Sequence, residues 1–358
     1  MRFLLLFCVI FHAALFGKKP QIDLDDFDAL MGKGTSHWSH VKHNLDIATL
    51  EWAKALYHKN KNAQFSKAGP YKIPPIIHFV WLGPRSFPPE SVENVRTWIA
   101  HHPGWTVKFW TDRDRQPPCQ GMELIVVQNS SFARFGKCFE QSQNWGEKSD
   151  LLRYEILSQE GGVYVDHDAN CLQPFDGMHR GYDFYCCLEP PHCAFVGRNV
   201  TCGNAVIGSR PGHPTIQHVM DLVSERWESL AEKYQGKDEY SRIEIVMQRT
   251  YIPFTQAILT NIEQEGDVDI ILPAAYFFPK SGISPLYSNH LFKGDWDDSK
   301  VRKTQEDRNI EQALGKIRCK SRNLSLMILA LILFNTALIG IRWVRNRRKR
   351  FYLRNNLR

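Results

Sequence analysis

Lys148-Ser-Asp-Leu-Leu-Arg-Tyr-Glu-Ile-Leu-Ser-Gln-Glu-Gly-Gly-Val-Tyr-Val-Asp-His-Asp168 is the stretch from which the rest of this chain is read. Its first part has the composition of a helix over residues 148–159, with Ser149 able to cap it and Gly161-Gly162 able to end it. Val163-Tyr164-Val165 is then a short apolar strand that runs straight into Asp166. On the helix, Asp150 and Arg153 share a face. If the strand stays extended through residue 168, Asp166 and Asp168 point the same way.

Two carboxylates where an apolar strand leaves a sheet suit a hard divalent cation, and such a cation can bridge a diphosphate. A departing nucleoside diphosphate gains negative charge that a metal ion stabilises without proton transfer. Each feature has a plainer reading. Asp-x-Asp is common in solvated turns, and Asp150 with Arg153 could be a surface ion pair. Paired carboxylates also serve glycoside hydrolases, but those groups flank the bond from opposite sides, about 5–10 Å apart. Two carboxylates on one strand end favour metal binding over that arrangement.

Outward from this core the pattern alternates. Ile76-Ile-His-Phe-Val-Trp-Leu82, closed by Gly83-Pro84, reads as a buried parallel strand. Further strands are expected at 106–110, 124–127, 184–188, 205–207 and 268–272, with helices at 91–101, 214–234 and 242–262. Residues 18–72 are polar, with a helical pattern near 45–56, and read as an N-terminal helical extension. The expectation is an α/β sandwich with a mainly parallel central sheet and its site at the strand carboxyl ends.

The run from Asp150 to Asp168 resembles the DXD-containing sugar-binding region of GT-A glycosyltransferases. More narrowly, it resembles the family of yeast initiating α-1,6-mannosyltransferases, inositol phosphorylceramide mannosyltransferases, α-1,4-galactosyltransferases and, more distantly, large clostridial glucosylating toxins. Ile73-Pro-Pro-Ile-Ile-His78-Phe-Val-Trp81, Pro103-Gly-Trp105, Trp110-Thr-Asp112 and Asn204 to Pro214 add to the resemblance, which covers residues 73–298 as the catalytic domain. It implies a GT-A nucleotide-sugar fold, a nucleotide-sugar donor, Mn²⁺ or Mg²⁺, and retention of anomeric configuration without an enzyme nucleophile. Backbone near Val80, Trp81 and Leu82 would meet the nucleotide, and Asp150 and Arg153 the donor sugar. Tyr164 would line the donor pocket, and Asp166 and Asp168 would hold metal. His290 and Trp296 resemble the segment that closes over the donor, His290 as a third metal ligand. Thr250-Tyr-Ile-Pro253 departs from the family's Thr-Gly-Pro. His78 fits strand packing better than catalysis.

Charge and the two ends concern location. The net charge is +7, but residues 342–358 hold eight Lys or Arg and no acid, so the body is nearly neutral and nucleic acid is not an expected partner. Residues 1–17 read as a signal peptide or short anchor, 299–323 as a juxtamembrane linker, 324–343 as a transmembrane helix and 344–358 as a basic cytosolic tail. This implies a single-pass membrane protein with a lumenal, Golgi-like catalytic body. In a bacterial source, a cytosolic body would be easier to supply with donor. Eight cysteines beyond Cys8 permit disulfides, and sequons stand at Asn129, Asn199 and Asn323. The expected reaction is hexose transfer to a lipid or glycan acceptor, from GDP-mannose first and UDP-galactose or UDP-glucose next. A non-catalytic sugar-binding membrane protein is the rival of another class.

Overall fold

The computed structural model describes residues 22–192, 198–234, 239–263 and 266–294. The expected signal peptide, juxtamembrane linker, transmembrane helix and basic tail lie outside the described residues. Among the described residues, no helix is long and apolar enough to cross a membrane.

Seven strands form the central sheet in the order β3-β2-β1-β4-β7-β6-β8. They are β1 (Ile76–Val80), β2 (Thr106–Thr111), β3 (Glu123–Val126), β4 (Gly162–Val165), β6 (Phe184–Leu188), β7 (Cys202–Ser209) and β8 (Asp269–Leu272). Strands β3, β2, β1 and β4 run parallel, β7 is antiparallel to both β4 and β6, and β6 is parallel to β8. The molecule is thus mixed α/β with a mainly parallel sheet, as its alternating pattern implies. Every residue of β4 is buried, which is why its apolar run is unbroken: both faces are covered. Because β7 is reversed, β4 and β6 point the same way, so the residues that follow them emerge at one edge.

Helix α1 (Asn44–Asn60) packs on β8, α2 (Pro89–His101) on the small strand β5 (Ala169–Cys171), and α3 (Trp145–Gln159) over β1, β4 and β7. Helices α4 (Pro214–Tyr234) and α5 (Ile252–Asn261) pack against each other, and α4 also packs on α3. The N-terminal extension is integral to the core, not an appendage. Phe27, Leu30, Leu56 and Tyr57 are buried with the sheet residues, and the Tyr57 hydroxyl lies 3.0 Å from that of Tyr276.

The junction of α3 and β4 requires glycine. Gly162 has φ +93°, and a Cβ there would stand 2.6 Å from the Ile76 carbonyl oxygen and 2.9 Å from His78 Nε2. His78 is a packing residue. Its Nδ1 accepts from Trp110 Nε1 at 3.2 Å, which leaves Nε2 to donate to the Gly161 carbonyl at 2.8 Å.

Several local expectations change. Helix α3 starts earlier, at Trp145, because Asn144 and not Ser149 caps it: the Asn144 side chain accepts from Glu147 N–H at 3.0 Å. Ser149 instead lies inside the helix and bonds back to the Trp145 carbonyl. In α1 the buried face is Asp46, Thr49, Leu50, Ala53, Leu56 and Tyr57, while Leu45 and Ile47 face solvent. The long helix expected at 242–262 is divided into Glu239–Val246, a π-helical turn at Met247–Tyr251 and α5. Pro253 has no N–H to return to the preceding turn, which favours this local widening. The six described cysteines are unpaired; Cys193 and Cys319 lie outside the described residues. Of the sequons, Asn129 is exposed, whereas the Asn199 amide donates to the His40 carbonyl at 2.9 Å.

Candidate functional site

The site forms where β4 ends. Asp166 follows Val165 directly, and its N–H donates to the Ala205 carbonyl of β7 at 2.8 Å. The strand does not continue. A turn closes at once, with the Ala169 N–H donating to the Asp166 carbonyl at 3.1 Å. Asp166 and Asp168 therefore converge through a turn, and strand alternation, the reason given by the sequence pattern, does not apply.

The third member comes from far along the chain. Strand β9 (Ser288–His290) pairs antiparallel with β5, placing His290 opposite Ala169. His290 Nε2 lies 3.1 Å from Asp168 Oδ1 and 3.8 Å from Asp166 Oδ2. The ligand atoms of these three residues all lie within 4.8 Å of one another, so the group can hold a divalent metal ion. Two carboxylates and an imidazole suit Mn²⁺ or Mg²⁺ better than a soft metal. His290 Nδ1 is buried and has no hydrogen-bond partner among the described residues, while Nε2 faces the two carboxylates.

The segment after β9 clasps the turn. The Leu291 and Lys293 N–H groups donate to the Asp168 carbonyl and Oδ2 at 2.9 and 2.8 Å. Lys293 Nζ reaches Glu90 and Ser91 of α2, each at 3.3 Å. Burial pushes the Asp168 carboxyl up, but His290, His167 and the Lys293 N–H together hold it well below the usual carboxylate range. Burial lowers the His290 pKa, and the carboxylates of Asp168, Asp166 and Glu189 more than reverse that, leaving it raised.

Asp150 and Arg153 stand beside this cluster, both buried. Arg153 Nη2 lies 2.8 Å from Asp150 and 3.3 Å from Asp166, and its guanidinium sits 4.2 Å over the Tyr164 ring. The Tyr164 hydroxyl donates to Asp166 Oδ1 at 2.7 Å. This is not a solvated helix pair: one guanidinium ties α3 to the residue that follows β4. Asp150 also accepts from Thr250 Oγ1 at 2.6 Å and from Asn204 Nδ2 at 3.1 Å. Burial raises its carboxyl pKa against the pull of Arg153, Thr250 and Asn204.

Val80, Trp81 and Leu82 lie at the carboxyl end of β1, next to β4. The Trp81 ring meets His167, the residue between the two aspartates, edge-on at 4.9 Å. Gly83 follows with φ +85°, and the Trp145 ring lies so close that a Cβ would stand 2.7 Å from it. The structure thus gathers Asp150, Arg153, Tyr164, Asp166, Asp168 and His290 around one point, with the β1 end adjoining. Trp296 lies outside the described residues. Sequence reasoning missed Asn204, Thr250 and the Lys293 backbone. The first two stand in stretches singled out by resemblance, but their hold on Asp150 depends on which elements meet.

Residues 88–185 match the family model described as "Glycosyltransferase sugar-binding region containing DXD motif". The chain is 31% identical over 251 residues to a mannosyl phosphorylinositol ceramide synthase of Saccharomyces cerevisiae, covering 66% of this chain and 56% of that protein. It is 25% identical over 249 residues to the initiation-specific alpha-1,6-mannosyltransferase of Schizosaccharomyces pombe, covering 59% and 61%. The chain therefore spans somewhat over half the length of these curated relatives. Among solved structures, the PaToxG glycosyltransferase aligns at 17% identity and a TM-score of 0.42, over 59% of this chain and 78% of that one.

Proposed function

We propose that this protein is a retaining, metal-assisted hexosyltransferase that moves mannose from GDP-mannose to a lipid or glycan acceptor. The observation that carries the reading is the convergence of Asp166, Asp168 and His290 beside the buried Asp150–Arg153 pair, inside the matched sugar-binding region. Mannose is favoured because the two curated relatives are named for mannosyl transfer, and a lipid acceptor because one is named for an inositol ceramide. A membrane span at 324–343, outside the described residues, belongs to the same reading.

In this reading Asp166, Asp168 and His290 would hold Mn²⁺ or Mg²⁺, and Asp166 would also contact ribose or sugar. When bound, the ion neutralises charge on the departing diphosphate. Asp150 and Arg153 hydrogen-bond the hexose, and Arg153 adds positive charge near the diphosphate. Tyr164 fixes Asp166, the Val80–Leu82 backbone receives the nucleotide, and Trp296 closes over it. The leaving phosphate takes the acceptor proton, so no enzyme nucleophile is required.

The test is nucleotide release by the full chain against GDP- and UDP-sugars, with Mn²⁺ or EDTA, alongside Asp168→Ala. Metal-dependent GDP release from GDP-mannose that vanishes in the variant supports the reading. Release only of UDP replaces the donor. A folded protein that releases nothing, with acceptors supplied, overturns the enzyme assignment.

A further inference from the structure

One carboxylate near the site takes no part in the scheme above. Glu189 follows β6 directly, and β6 runs in the same direction as β4, with the reversed β7 between them. Glu189 therefore leaves the sheet at the edge from which Asp166 emerges, two strands away, where ligands of open α/β sheets bind. It stands near the metal-capable group through packed neighbours. A Cβ at Gly203 would lie 3.0 Å from Glu189 Cγ and 2.5 Å from the Phe278 ring, and Phe278 meets His290 edge-on at 5.5 Å. Asn204, the next residue of β7, holds Asp150.

The partners of Glu189 are few. Its Oε1 accepts from the Tyr251 hydroxyl at 2.9 Å, and its Oε2 lies 3.9 Å from His192 Nδ1, whose nearer partner is the Pro190 carbonyl at 3.1 Å. Asp150 is bound by a guanidinium, a hydroxyl and an amide, and Asp168 by an imidazole and a backbone N–H, whereas among the described residues no arginine or lysine pairs with Glu189. Its side chain is 14% exposed.

We infer that Glu189 contacts the acceptor: its carboxylate accepts a hydrogen bond from the attacking hydroxyl and aims that oxygen at the anomeric carbon. This rests on the glycosyltransferase reading and adds the acceptor side to it. The new bond joins the acceptor oxygen to the anomeric carbon, and the bond from that carbon to the diphosphate oxygen breaks. The hydroxyl proton ends on the departing diphosphate, so Glu189 orients the nucleophile and keeps no proton.

The experiment measures two outcomes of one donor in the full-length protein: transfer from GDP-mannose to inositol phosphorylceramide in detergent micelles, and hydrolysis of GDP-mannose by water. Glu189→Gln keeps an acceptor for Tyr251 and the side-chain shape but removes the charge. Its ratio of transfer to hydrolysis is expected to fall about 100-fold, the scale of a misplaced reacting group. Tyr251→Phe tests the structural alternative, and its ratio should stay within about threefold, the effect of one modest hydrogen bond. A Glu189→Gln ratio equal to wild type, or a fall reproduced by Tyr251→Phe, overturns the inference and leaves the transferase reading intact. Wild-type protein that neither hydrolyses nor transfers overturns that reading, and this inference with it.

Discussion

Among the described residues, two groups of two aspartates and a histidine lie at opposite edges of one sheet. Asp166, Asp168 and His290 stand past the carboxyl end of β4; His213, Asp267 and Asp269 stand where β7 ends and β8 begins. Both sets bring their ligand atoms within 4.8 Å of one another. Their partners differ. Arg210 Nη2 bonds both oxygens of Asp267 at 3.0 and 3.1 Å, and the Glu263 N–H occupies Asp269 Oδ2 at 2.9 Å. His213 Nδ1 accepts from the Thr215 N–H at 3.3 Å, while Nε2 faces Asp269 at 3.1 Å. That group is closed by its own chain and joins a loop to a strand. The first group keeps a His290 Nδ1 with no partner among the described residues and an Asp166 side chain that is 26% exposed. Spacing alone makes both look like metal sites; saturation by protein partners separates them.

The largest expected effect tests that contrast. Asp168→Asn should lower metal-dependent nucleotide release by about 10³-fold, as loss of charge stabilisation at a leaving group does, while the protein stays folded. Asp269→Asn should do the reverse: turnover per folded molecule is retained, and stability falls by about 3 kcal/mol because His213 loses a buried partner. Steady-state release and urea denaturation, run on both variants, check this. Equal kinetic losses would erase the distinction.

Next come the closed histidines, which extend the contrast beyond aspartates. Burial holds His78 and His179 at about 3, far below an ordinary histidine. A depressed histidine is neutral in the fold but takes a proton when unfolded below about pH 6.5. The unfolded state then binds more protons, so stability is full above that pH and falls as pH drops toward the folded value. The two residues together should contribute a slope of about 2.7 kcal/mol per pH unit between pH 6 and 4. His78→Gln, which can still accept from Trp110 and donate to Gly161, should remove about half of it. Denaturation midpoints at pH 6.5, 5.5 and 4.5 measure the difference between variant and wild type; parallel curves would contradict it.

A smaller effect is the ligand response of the open group. Mn²⁺ at about 100 times its dissociation constant should stabilise the wild type by about 2.7 kcal/mol. The same shift should persist in His213→Asn and disappear in Asp168→Asn. A shift lost on changing His213 would move the metal site to the other edge of the sheet.

Much of this was legible in the chain because it is local. The apolar runs that became β1, β4 and β6 are buried on both faces, and such strands show as unbroken hydrophobic segments. Asp150, Arg153, Asp166 and Asp168 lie within one helix–strand unit, so their proximity follows from chain continuity. His290 depended on resemblance, since the β5–β9 pairing that delivers it uses strands of three residues each, too short for a periodic signal. The two carboxylates of Asp-x-Asp do converge, but through a turn and not by strand alternation, because a turn and a strand end leave the same three letters. Ser149 looked like a cap for want of any sign that Asn144, five positions earlier, could start the same helix.

The smallest effect concerns a contact that no local pattern shows. Thr250 lies in the π-helical turn ahead of Pro253, and its hydroxyl bonds Asp150 at 2.6 Å and the Val246 carbonyl at 2.9 Å. Thr250→Val keeps the β-branched shape and removes a hydrogen bond to a buried carboxylate, worth about 1.5–3 kcal/mol. Asn204 and Arg153 still hold Asp150, so the loss should fall at the low end, about 1.5 kcal/mol in urea. If Asp150 contacts the donor sugar, kcat/KM for GDP-mannose should fall about tenfold in the same variant, the kinetic equivalent of about 1.4 kcal/mol. Stability lost with kcat/KM unchanged would make Asp150 a strut between α3 and β7. That would place the buried Asp150–Arg153 pair with the closed His213 group and leave the turn after β4 as the open chemistry of this edge.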